Sequence, residues 1–389
     1  MEETDILVSG GGIAGLATAA GLAHAGLDVV VVDPKPASAT DDLRSTAYLT
    51  PGRSFLEDLD LWETVADGAT PLRSLRVVDT TGTPPQISAD RTCDAGDLSL
   101  DAFGWNLPNG PVRLAMLNAL EAASNVEMRI GVGVEGLTLR ESAAIARLYD
   151  GSRIKARLIV GADGRDSPVR QLAGINAKTT RYGQKAIAAV LAHEIPHDAI
   201  STEVYASGGA FTLVPLPDAD GEHRSALVWM EDGAQAQTLA SMDDADFGAE
   251  ATQRSAGVLG TLEPRSKRQI WPIITRTADR LTAERVALVA EAAHVLPPIG
   301  AQGLNTSLGD IRALIEAAKA EAPGTPAMLE RYAKERQRDI HLRARAIDAY
   351  NRLCRAGNPL IRGLRAVGLK AAHDVTPLRN TLMRAGLGR

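Results

Sequence analysis

The sequence predicts a mixed α/β fold (α+β) in which a Rossmann-like nucleotide-binding domain is interleaved with a β-sheet domain and followed by a helical C-terminal tail. Three observations predict this fold. The chain begins with a strand, a glycine-rich turn and a helix. Strand patterning returns between about residues 181 and 267, and a loop rich in Pro and Gly precedes an amphipathic helix near residues 290–310. With 389 residues, the chain is long enough for two connected domains with a large core.

The N-terminal unit has the pattern of a dinucleotide site. Gly10, Gly12 and Gly15 satisfy G-x-G-x-x-G, and Asp33 follows 23 residues after the first glycine. The glycines allow a tight turn, a close approach of backbone to pyrophosphate, and packing of helix on strand, while the acid accepts from a ribose hydroxyl. The alternative is an ordinary glycine-rich turn followed by an exposed aspartate. A strand, a helix and a second strand are expected over residues 5–9, 13–25 and 29–32.

A second turn follows a buried strand in the middle of the chain. Residues 158–160 read as that strand, and residues 161–165 continue as Gly-Ala-Asp-Gly-Arg. An Asp-Gly pair alone is a common turn signal. The position of Asp163 between the first motif and the later loop makes it a candidate site residue.

The loop before residue 310 is suited to pressing backbone against a flat ligand. Pro297 and Pro298 stiffen the approach, while Gly300 and Gly303 remove side chains where a ligand comes close. Apolar residues then recur at helical spacing, so the loop ends at a helix N-terminus, which favours negative charge. An anionic ring system would fit there.

These three segments, in this order, resemble the group A FAD-dependent aromatic hydroxylases of the p-hydroxybenzoate hydroxylase fold. The chain is more closely similar to the ubiquinone-biosynthesis hydroxylases, the polyprenylphenol monooxygenases. The resemblance covers essentially the whole chain. It is supported by Asp-Leu-Arg at 42–44 with Ala47, Asn-Gly-Pro-Val-Arg-Leu at 109–114, Tyr-Gly-Gln at 182–184 with Ala186, Leu-Val-Pro-Leu-Pro at 213–217, and the loop itself.

The resemblance implies FAD as cofactor and assigns residues to it. Arg44 and Arg113 would lie along the phosphate and ribityl chain, although either could be a surface arginine, and Val134 would meet the adenine, unless it is simply a core residue. Asp163 would lie near the pyrophosphate. The implied cofactor-binding residues are Gly10, Gly12, Ile13, Ala14, Gly15, Asp33, Arg44, Arg113, Val134, Asp163, Glu291, Gly303, Leu304 and Asn305. The implied catalytic residues are Pro298, Gly303, Leu304 and Asn305.

One segment departs from the family pattern. Family members usually carry Gly-Asp-Ala-Ala-His where this chain has Ala290-Glu291-Ala292-Ala293-His294. The carboxylate is one methylene longer, and Ala290 adds a Cβ where close approach is expected. We expect Glu291 to keep the role of reaching a ribityl hydroxyl, with weaker flavin binding. His294 is expected to be a structural hydrogen-bonding residue rather than an acid or base.

The resemblance also implies the chemistry. Reduced flavin would take up dioxygen as a C4a-hydroperoxide that attacks an electron-rich ring, with NADPH or NADH as reductant and a prenylated phenol as substrate. The alternatives are a hydroxylase of a small soluble aromatic, or a non-catalytic flavin-binding scaffold of a biosynthetic complex. A halogenase is disfavoured because the Trp-x-Trp-x-Ile pattern is missing. The sequence contains no metal-ligand cluster.

Domain boundaries follow from the motifs and strand patterning. The FAD-binding domain is expected at 1–70, 100–180 and 268–325, the substrate-binding sheet at 71–99 and 181–267, and the helical C-terminal region at 326–389. Strands are expected near residues 126–130, 186–193, 211–215 and 225–230, and residues 235–259, which are rich in Ala and Asp, are expected to be helical. Two Cys residues and no signal peptide or apolar span indicate a cytoplasmic protein.

The C-terminal region is strongly basic. Residues 331–389 contain 14 Lys and Arg against 4 Asp and Glu, whereas the whole chain has a net charge of −6. Amphipathic basic helices can lie on the inner face of an anionic membrane or contact a biosynthetic complex, and a solvated helical cap is the alternative. Nucleic acid is disfavoured by the acidic remainder, and an oligomer is compatible with the sequence. The arginines on these helices are Arg343, Arg345, Arg352, Arg355, Arg362 and Arg365.

Overall fold

The computed structural model describes residues 1–36, 42–206, 209–355, 374 and 376–387, and it confirms the mixed α/β fold. The helices are α1 (Ile13–His24), α2 (Thr50–Glu57), α3 (Asn109–Glu121), α4 (Pro168–Leu172), α5 (Gly233–Ser241), α6 (Asp244–Arg254), α7 (Gln302–Ala320), α8 (Pro326–Arg355) and α9 (Thr376–Leu387). The strands are β1 (Glu2–Ser9), β2 (Val29–Asp33), β3 (Ser45–Leu49), β4 (Thr70–Leu72), β5 (Ser74–Thr81), β6 (Gln86–Asp94), β7 (Gly104–Pro108), β8 (Val126–Ile130), β9 (Val134–Leu139), β10 (Ala144–Leu148), β11 (Arg153–Gly161), β12 (Ala177–His193), β13 (Ile200–Tyr205), β14 (Ala210–Pro215), β15 (His223–Asp232), β16 (Leu262–Pro264), β17 (Gln269–Ala278), β18 (Thr282–Ala283), β19 (Val286–Leu288) and β20 (His294–Val295).

The first sheet contains the predicted N-terminal unit. Its strand order is β18-β19-β11-β1-β2-β8, with β10 beside β11 and β9 beside β10. Strands β19, β11, β1, β2 and β8 run parallel, so the turns after β1 and β11 lie at the same edge. Ile6, Leu7 and Val8 are fully buried, as expected for a parallel sheet covered on both faces. The predicted strands at 5–9, 29–32, 126–130 and 158–160 are therefore confirmed.

Helices α1 and α7 pack against one another over this sheet. A Cβ on Gly21 would lie 2.0 Å from Ile315 Cδ1, so this glycine lets the two helices approach closely. The predicted amphipathic helix after the Pro-Gly loop is confirmed as α7, and it buries Leu308, Ile311 and Ile315. Their burial at helical spacing fixes the rotation of α7 and hence the direction of its N-terminal turn.

The second sheet has nine strands, in the order β20-β17-β12-β15-β14-β13-β5-β6, with β16 beside β12. Its strands at 177–193, 210–215 and 223–232 include all three that the sequence pattern predicted. Strand β17, which the sequence division assigned to the FAD-binding segments, pairs with β12 from Ala177 onward. One face packs on α5 and α6 through Trp229, Leu239 and Phe247. The other face is therefore available to a ligand.

The helical structure expected over residues 235–259 is confirmed for most of this segment. The structure has two helices there, α5 and α6, which are separated at Met242 and Asp243. The Asp243 side chain accepts a hydrogen bond from the Asp246 N–H at 2.8 Å and caps α6. The Ala-rich composition predicted helix correctly, but an N-cap inside the segment starts a new one.

The C-terminal region is helical where it is described. Helix α8 follows α7 directly, and α9 lies near the loop that begins α7, because Gln302 Nε2 donates to Gly386 O at 2.9 Å. The predicted basic positions Arg362 and Arg365, and the side chain of Arg355, lie outside the described residues. Within the described part of the chain, no helix is long and apolar enough to cross a membrane.

Candidate active site

The turn between β1 and α1 is shaped by glycines. Gly10 has φ +119°, and a Cβ on Gly15 would lie 1.8 Å from Gly10 O. These two positions therefore need glycine for the protein's own packing. A Cβ on Gly12 would meet nothing within 4 Å, and Gly12, Ile13 and Ala14 line a large cavity. The turn thus leaves an open cradle beside the N-terminus of α1, as a bound pyrophosphate requires.

Asp33 is fixed beside this turn. Its Oδ2 accepts from the Gly11 N–H at 2.5 Å, and its Oδ1 accepts from the Lys35 N–H at 2.7 Å. Arg113 Nε donates to Gly11 O at 2.7 Å, and its guanidinium lies 3.8 Å from the Asp33 carboxylate. The predicted pair Asp33 and Arg113 is therefore brought together at the carboxyl end of β2. Because each carboxylate oxygen accepts more than one hydrogen bond, Asp33 can still receive a ribose hydroxyl.

Asp163 follows β11 and lies behind the glycine turn. Its Oδ2 accepts from the Val169 N–H at 3.0 Å and from Ser9 Oγ at 3.3 Å. Its Oδ1 is buried and, among the described residues, has no hydrogen-bond partner. Burial raises the pKa of this carboxyl, and those hydrogen bonds oppose the shift. Such an unsatisfied oxygen fits a site in which a bound group supplies a donor.

Arg44 reaches the same cavity from the segment before β3. Its guanidinium makes an ion pair with Asp42 at 2.6 Å and lies 5.7 Å from the Trp271 ring centre. Burial tends to raise the pKa of Asp42, but the hydrogen bonds and charge of Arg44 lower it overall. The Asp42 carboxylate also accepts from Asn109 Nδ2 at 3.2 Å. The Arg44 side chain is therefore held at the cavity wall by its ion pair with Asp42, and it is not freely solvated.

The third predicted loop lines the cavity from the opposite side. Glu291, Pro298, Gly303 and Leu304 all line it. Asn305 does not, because its amide ties α7 to β3: Oδ1 accepts from the Leu49 N–H at 2.9 Å, and Nδ2 donates to Ala47 O at 2.8 Å. Helix α7 begins at Gln302, so the N–H groups of its first turn are available to a ligand.

A buried ionic network supports this loop, and sequence reasoning missed most of it. Asp310 is fully buried, with His294 Nε2 at 2.6 Å, the Arg336 guanidinium at 2.9 Å and the Ala290 N–H at 3.3 Å. His294 makes the structural hydrogen bond that we expected. The network joins the segment before β20 to α7 and α8. Nothing local in the sequence signals that these three elements meet.

Two alanines at the site adopt left-handed backbone conformations. Ala290 and Ala301 both have φ +55°. Glycine adopts this region without strain, whereas a Cβ makes it unfavourable. Ala290 is the departure noted in the sequence, and Glu291 beside it lines the cavity with its carboxylate 3.9 Å from Arg165 Nε. The loop thus contains two alanines in a backbone conformation that glycine would adopt with less strain.

The structure brings these segments together around one cavity of about 1080 Å³. The turn after β1, the loop before α7 and one face of the nine-stranded sheet enclose it. Besides Asn305, the predicted site residues that do not line the cavity are Gly10, Gly15, Asp33, Val134 and Asp163, and Val134 is buried in the core. The sequence predicted a substrate-binding sheet but identified none of the residues that the sheet contributes to the wall, and it did not predict that the C-terminal helices line the cavity. The residues that the sheet and these helices contribute include Leu75, Val77, Glu203, Val214, Val228, Trp271, Tyr350, Arg379, Leu382 and Met383.

Comparisons with known proteins agree with this architecture. The FAD binding domain family matches residues 3–345. Ubiquinone hydroxylase UbiL of Rhodospirillum rubrum is 31% identical over 393 residues, which cover 99% of this chain and 89% of the relative. The 3-demethoxyubiquinol 3-hydroxylase of Escherichia coli is 29% identical over 399 residues, covering 100% of this chain and 99% of that protein.

Solved structures show the same fold. The p-nitrophenol 4-monooxygenase PnpA from Pseudomonas putida has a TM-score of 0.81 at 19% identity and covers 100% of this chain and 99% of its own. PqsL of P. aeruginosa, in complex with 2-aminobenzoylacetate, has a TM-score of 0.77 at 25% identity, covering 92% and 98%. The chain therefore belongs to the family of FAD-dependent hydroxylases that includes those of ubiquinone biosynthesis. Its cofactor is FAD, and it is an FAD-dependent aromatic-ring monooxygenase.

Proposed function

We propose that this protein hydroxylates the aromatic ring of a prenylated phenol or related quinone precursor in ubiquinone biosynthesis, with NADPH or NADH as electron donor. The observation that carries the proposal is a single cavity of about 1080 Å³, lined both by the dinucleotide turn and by an apolar sheet face. The similarity to a ubiquinone hydroxylase and to a 3-demethoxyubiquinol 3-hydroxylase supports the ubiquinone assignment. The sheet face supports a ring with an apolar tail, because aliphatic side chains dominate it.

When bound, FAD supplies the oxidation chemistry by accepting a hydride and activating dioxygen. The residues of the chain would bind and orient it. Backbone at Gly12, Ile13 and Ala14 would meet the pyrophosphate, and Asp33 the ribose. The first-turn N–H groups of α7, including that of Leu304, would stabilise negative charge on the ring system.

The remaining walls would position the substrate and exclude water. Pro298 and Leu304 would close the cavity beside the ring, while Val77, Val214 and Val228 would pack against the apolar part of the substrate. Excluding water from the cavity limits unproductive side reactions during turnover. The division into an FAD-binding part and a substrate-binding sheet remains part of this proposal.

Turnover of a model substrate tests the function directly. Purified FAD-loaded protein is given NADH or NADPH with ortho-prenylphenol, and products are analysed by mass spectrometry. We expect faster oxidation of the reduced nicotinamide and a product heavier by one oxygen atom. A non-catalytic scaffold would show neither effect. Preference for phenol itself over the prenylated compound would favour the small-aromatic alternative.

We also propose that α8 contacts an anionic membrane surface from which a tailed substrate is taken. Its exposed side includes Leu342, which is 66% exposed. This side also presents a row of cations at helical spacing, Arg331, Lys334, Arg338, Arg345 and Arg352. Sedimentation with vesicles of phosphatidylglycerol should be strong at low salt and weak at high salt. Equal binding to neutral phosphatidylcholine vesicles would contradict the electrostatic part.

A further inference from the structure

Residues that line the cavity and are also exposed show where it opens to solvent. In the part of the chain that the structure describes, they form two groups. The first group lies on the turns and the loop assigned to FAD and on β17, and it consists of Gly12, Pro272, Glu291, Gly300 and Gly303. The second group lies on the two C-terminal helices, and it consists of Ala346 and Tyr350 on α8 and Leu382 and Gly386 on α9. FAD bound at its turns would occupy the first opening, so the second opening is left for the substrate.

The four residues of the second group form the rim of an opening that we call the interhelical slot. Within each helix the two rim residues are four positions apart, so they lie on one helical face. Gln302, at the start of α7, joins the two helices at one end of the slot. Its Nε2 donates to Gly386 O at 2.9 Å, and its Oε1 accepts from the Arg343 guanidinium of α8 at 3.0 Å. A Cβ on Gly386 would meet nothing within 4 Å, so the slot is open at this point.

The interhelical slot is apolar on both sides of its rim. On the cavity side, Ile347 lines the wall and is only 8% exposed. Arg379 of α9 also lines the cavity, but its guanidinium lies 3.3 Å from the Asp97 carboxylate, which offsets its charge. On the outer side, Leu342 precedes Ala346 by one helical turn and is 66% exposed. An apolar track therefore leads from the cavity to the side of α8 that we propose to contact a membrane.

The size of the cavity makes such an opening necessary for a substrate with a long tail. Its volume is about 1080 Å³, slightly above the roughly 300–1,000 Å³ of pockets that hold drug-sized ligands. A flavin ring system and a phenol ring together are of drug size, so they would fill most of this volume. An isoprenoid tail of several units has to leave the cavity through an opening. Because such a tail is an uncharged hydrocarbon, contact with apolar side chains is more favourable for it than contact with water.

We propose that the interhelical slot binds the isoprenoid tail of the substrate while the aromatic ring lies in the cavity. The inference rests on the proposed function and adds the place where the tail is recognised. Ala346 and Gly386 leave room for the methyl branches of the tail, because neither has a large side chain. Beyond the slot, the tail follows Leu342 along α8 toward the membrane surface. The slot thus selects substrates that carry a tail, whereas the cavity alone accepts the ring.

Filling the slot tests this proposal without turnover. Phenol and ortho-farnesylphenol are titrated into the oxidised FAD-loaded enzyme without reductant, and each dissociation constant is read from the change in flavin absorbance. We expect wild type to bind ortho-farnesylphenol more tightly than phenol. Ala346→Trp should reduce this preference about 10-fold, which corresponds to about two methylene groups of the tail that remain in water.

The matched control is Ala349→Trp on the same helix. Ala349 is also exposed, but it does not line the cavity, so this variant should keep the wild-type preference for the tailed phenol. A preference that Ala346→Trp leaves unchanged, or that Ala349→Trp lowers equally, would overturn the proposal.

A second pair of variants, on α9, serves if Ala346→Trp does not fold. Leu382→Lys places a charge at the slot, whereas Ala385→Lys places the same charge at an exposed position that does not line the cavity. We expect only Leu382→Lys to weaken the binding of ortho-farnesylphenol relative to phenol, because contact with the tail would remove water from the ammonium group. Equal preferences in the two variants would overturn the tail site.

Turnover separates this inference from the proposed function. An enzyme that prefers ortho-farnesylphenol through the slot but hydroxylates neither compound would contradict the proposed function and still support the slot. An enzyme that hydroxylates ortho-prenylphenol but binds ortho-farnesylphenol no more tightly than phenol would overturn the slot and support the proposed function.

Discussion

The two sheets of this protein meet the same cavity with different chemical groups. The parallel sheet presents mainly backbone, at the turn after β1, where Gly12 lies in open space. The nine-stranded sheet presents side chains, from aliphatic residues to Glu203. Backbone recognition requires particular conformations and leaves a sequence motif. A ligand that is recognised by side chains requires only that the strands pair in the correct register. The residues involved are far apart in the chain, so they form no local sequence motif.

The largest expected effect comes from the side-chain network that supports the loop before α7. Asp310→Asn should lower the free energy of unfolding by about 3–5 kcal/mol, because it leaves the Arg336 guanidinium buried beside a neutral group. Chemical denaturation measures it. The matched control is Asp339→Asn, whose carboxylate pairs with Arg336 and Arg343 nearer the surface and should cost less than about 1 kcal/mol. Equal losses in the two variants would contradict a special role for burial.

The backbone side of the comparison is tested at the first turn. Gly15→Ala should lower stability by about 3 kcal/mol, because the new Cβ would lie 1.8 Å from Gly10 O. Gly12→Ala should cost less than about 1 kcal/mol, since its Cβ meets no protein atom. It should nevertheless weaken FAD binding measured by fluorescence titration. A Gly12→Ala protein with wild-type flavin affinity would show that the open cradle is not the pyrophosphate site.

The left-handed alanines give a smaller and opposite effect. Ala290→Gly and Ala301→Gly should each raise the free energy of unfolding by about 1 kcal/mol, because glycine adopts a φ of +55° without strain. Ala249→Gly, at an exposed position within α6, should instead lower it by about 1 kcal/mol. Thermal and denaturant unfolding measure all three. Loss of stability in both loop variants would mean that backbone strain does not limit this loop.

The smallest expected effect is a pH-dependent change in the free energy of unfolding, and it comes from Glu203 on the nine-stranded sheet. Because burial raises the folded-state pKa of Glu203 above its ordinary value of 4.5, the folded protein binds the extra proton more tightly than the unfolded chain. The free energy of unfolding should therefore fall as the pH rises from the unfolded-state pKa of Glu203 to its higher folded-state pKa. Glu203→Gln should be more stable than wild type at neutral pH, with the difference vanishing below about pH 4. A difference that persists at acid pH would point to packing rather than charge.

Much of the fold could be read from the sequence, and the reasons are local. The strand at residues 5–9 contains the apolar run Ile-Leu-Val at 6–8, and the parallel strand at 158–160 is Leu-Ile-Val. Such continuous apolar runs are typical of strands in parallel sheets that are covered on both faces. The segment expected to be helical over 235–259 is helical for most of its length, but an N-cap at Asp243 divides it into α5 and α6. Composition predicts the type of element well, but one side-chain hydrogen bond decides where it ends.

The candidate site divides in the same way. Gly10, Gly12 and Gly15 are identifiable because their backbone conformation and spacing are constrained within a few residues. Asp310 and Glu203 are not identifiable in this way. Asp310 contacts His294 and Arg336, which lie 16 and 26 residues away in the chain, and Glu203 lines the cavity only because the packing of the sheet places it there. The roles in FAD binding and catalysis given to individual residues stay predictions for the experiments above.

By itself, the sequence determined the elements and the motifs, since local conformational preference and apolar periodicity operate over short stretches of chain. Only the tertiary structure decided which side chains share the cavity, placing Glu203, Tyr205 and Tyr350 in one hydrogen-bonded cluster and covering the cavity with α9. The physical reason is that hydrogen bonding and desolvation depend on distance in space. Strand register and helix packing set those distances between residues far apart in the chain.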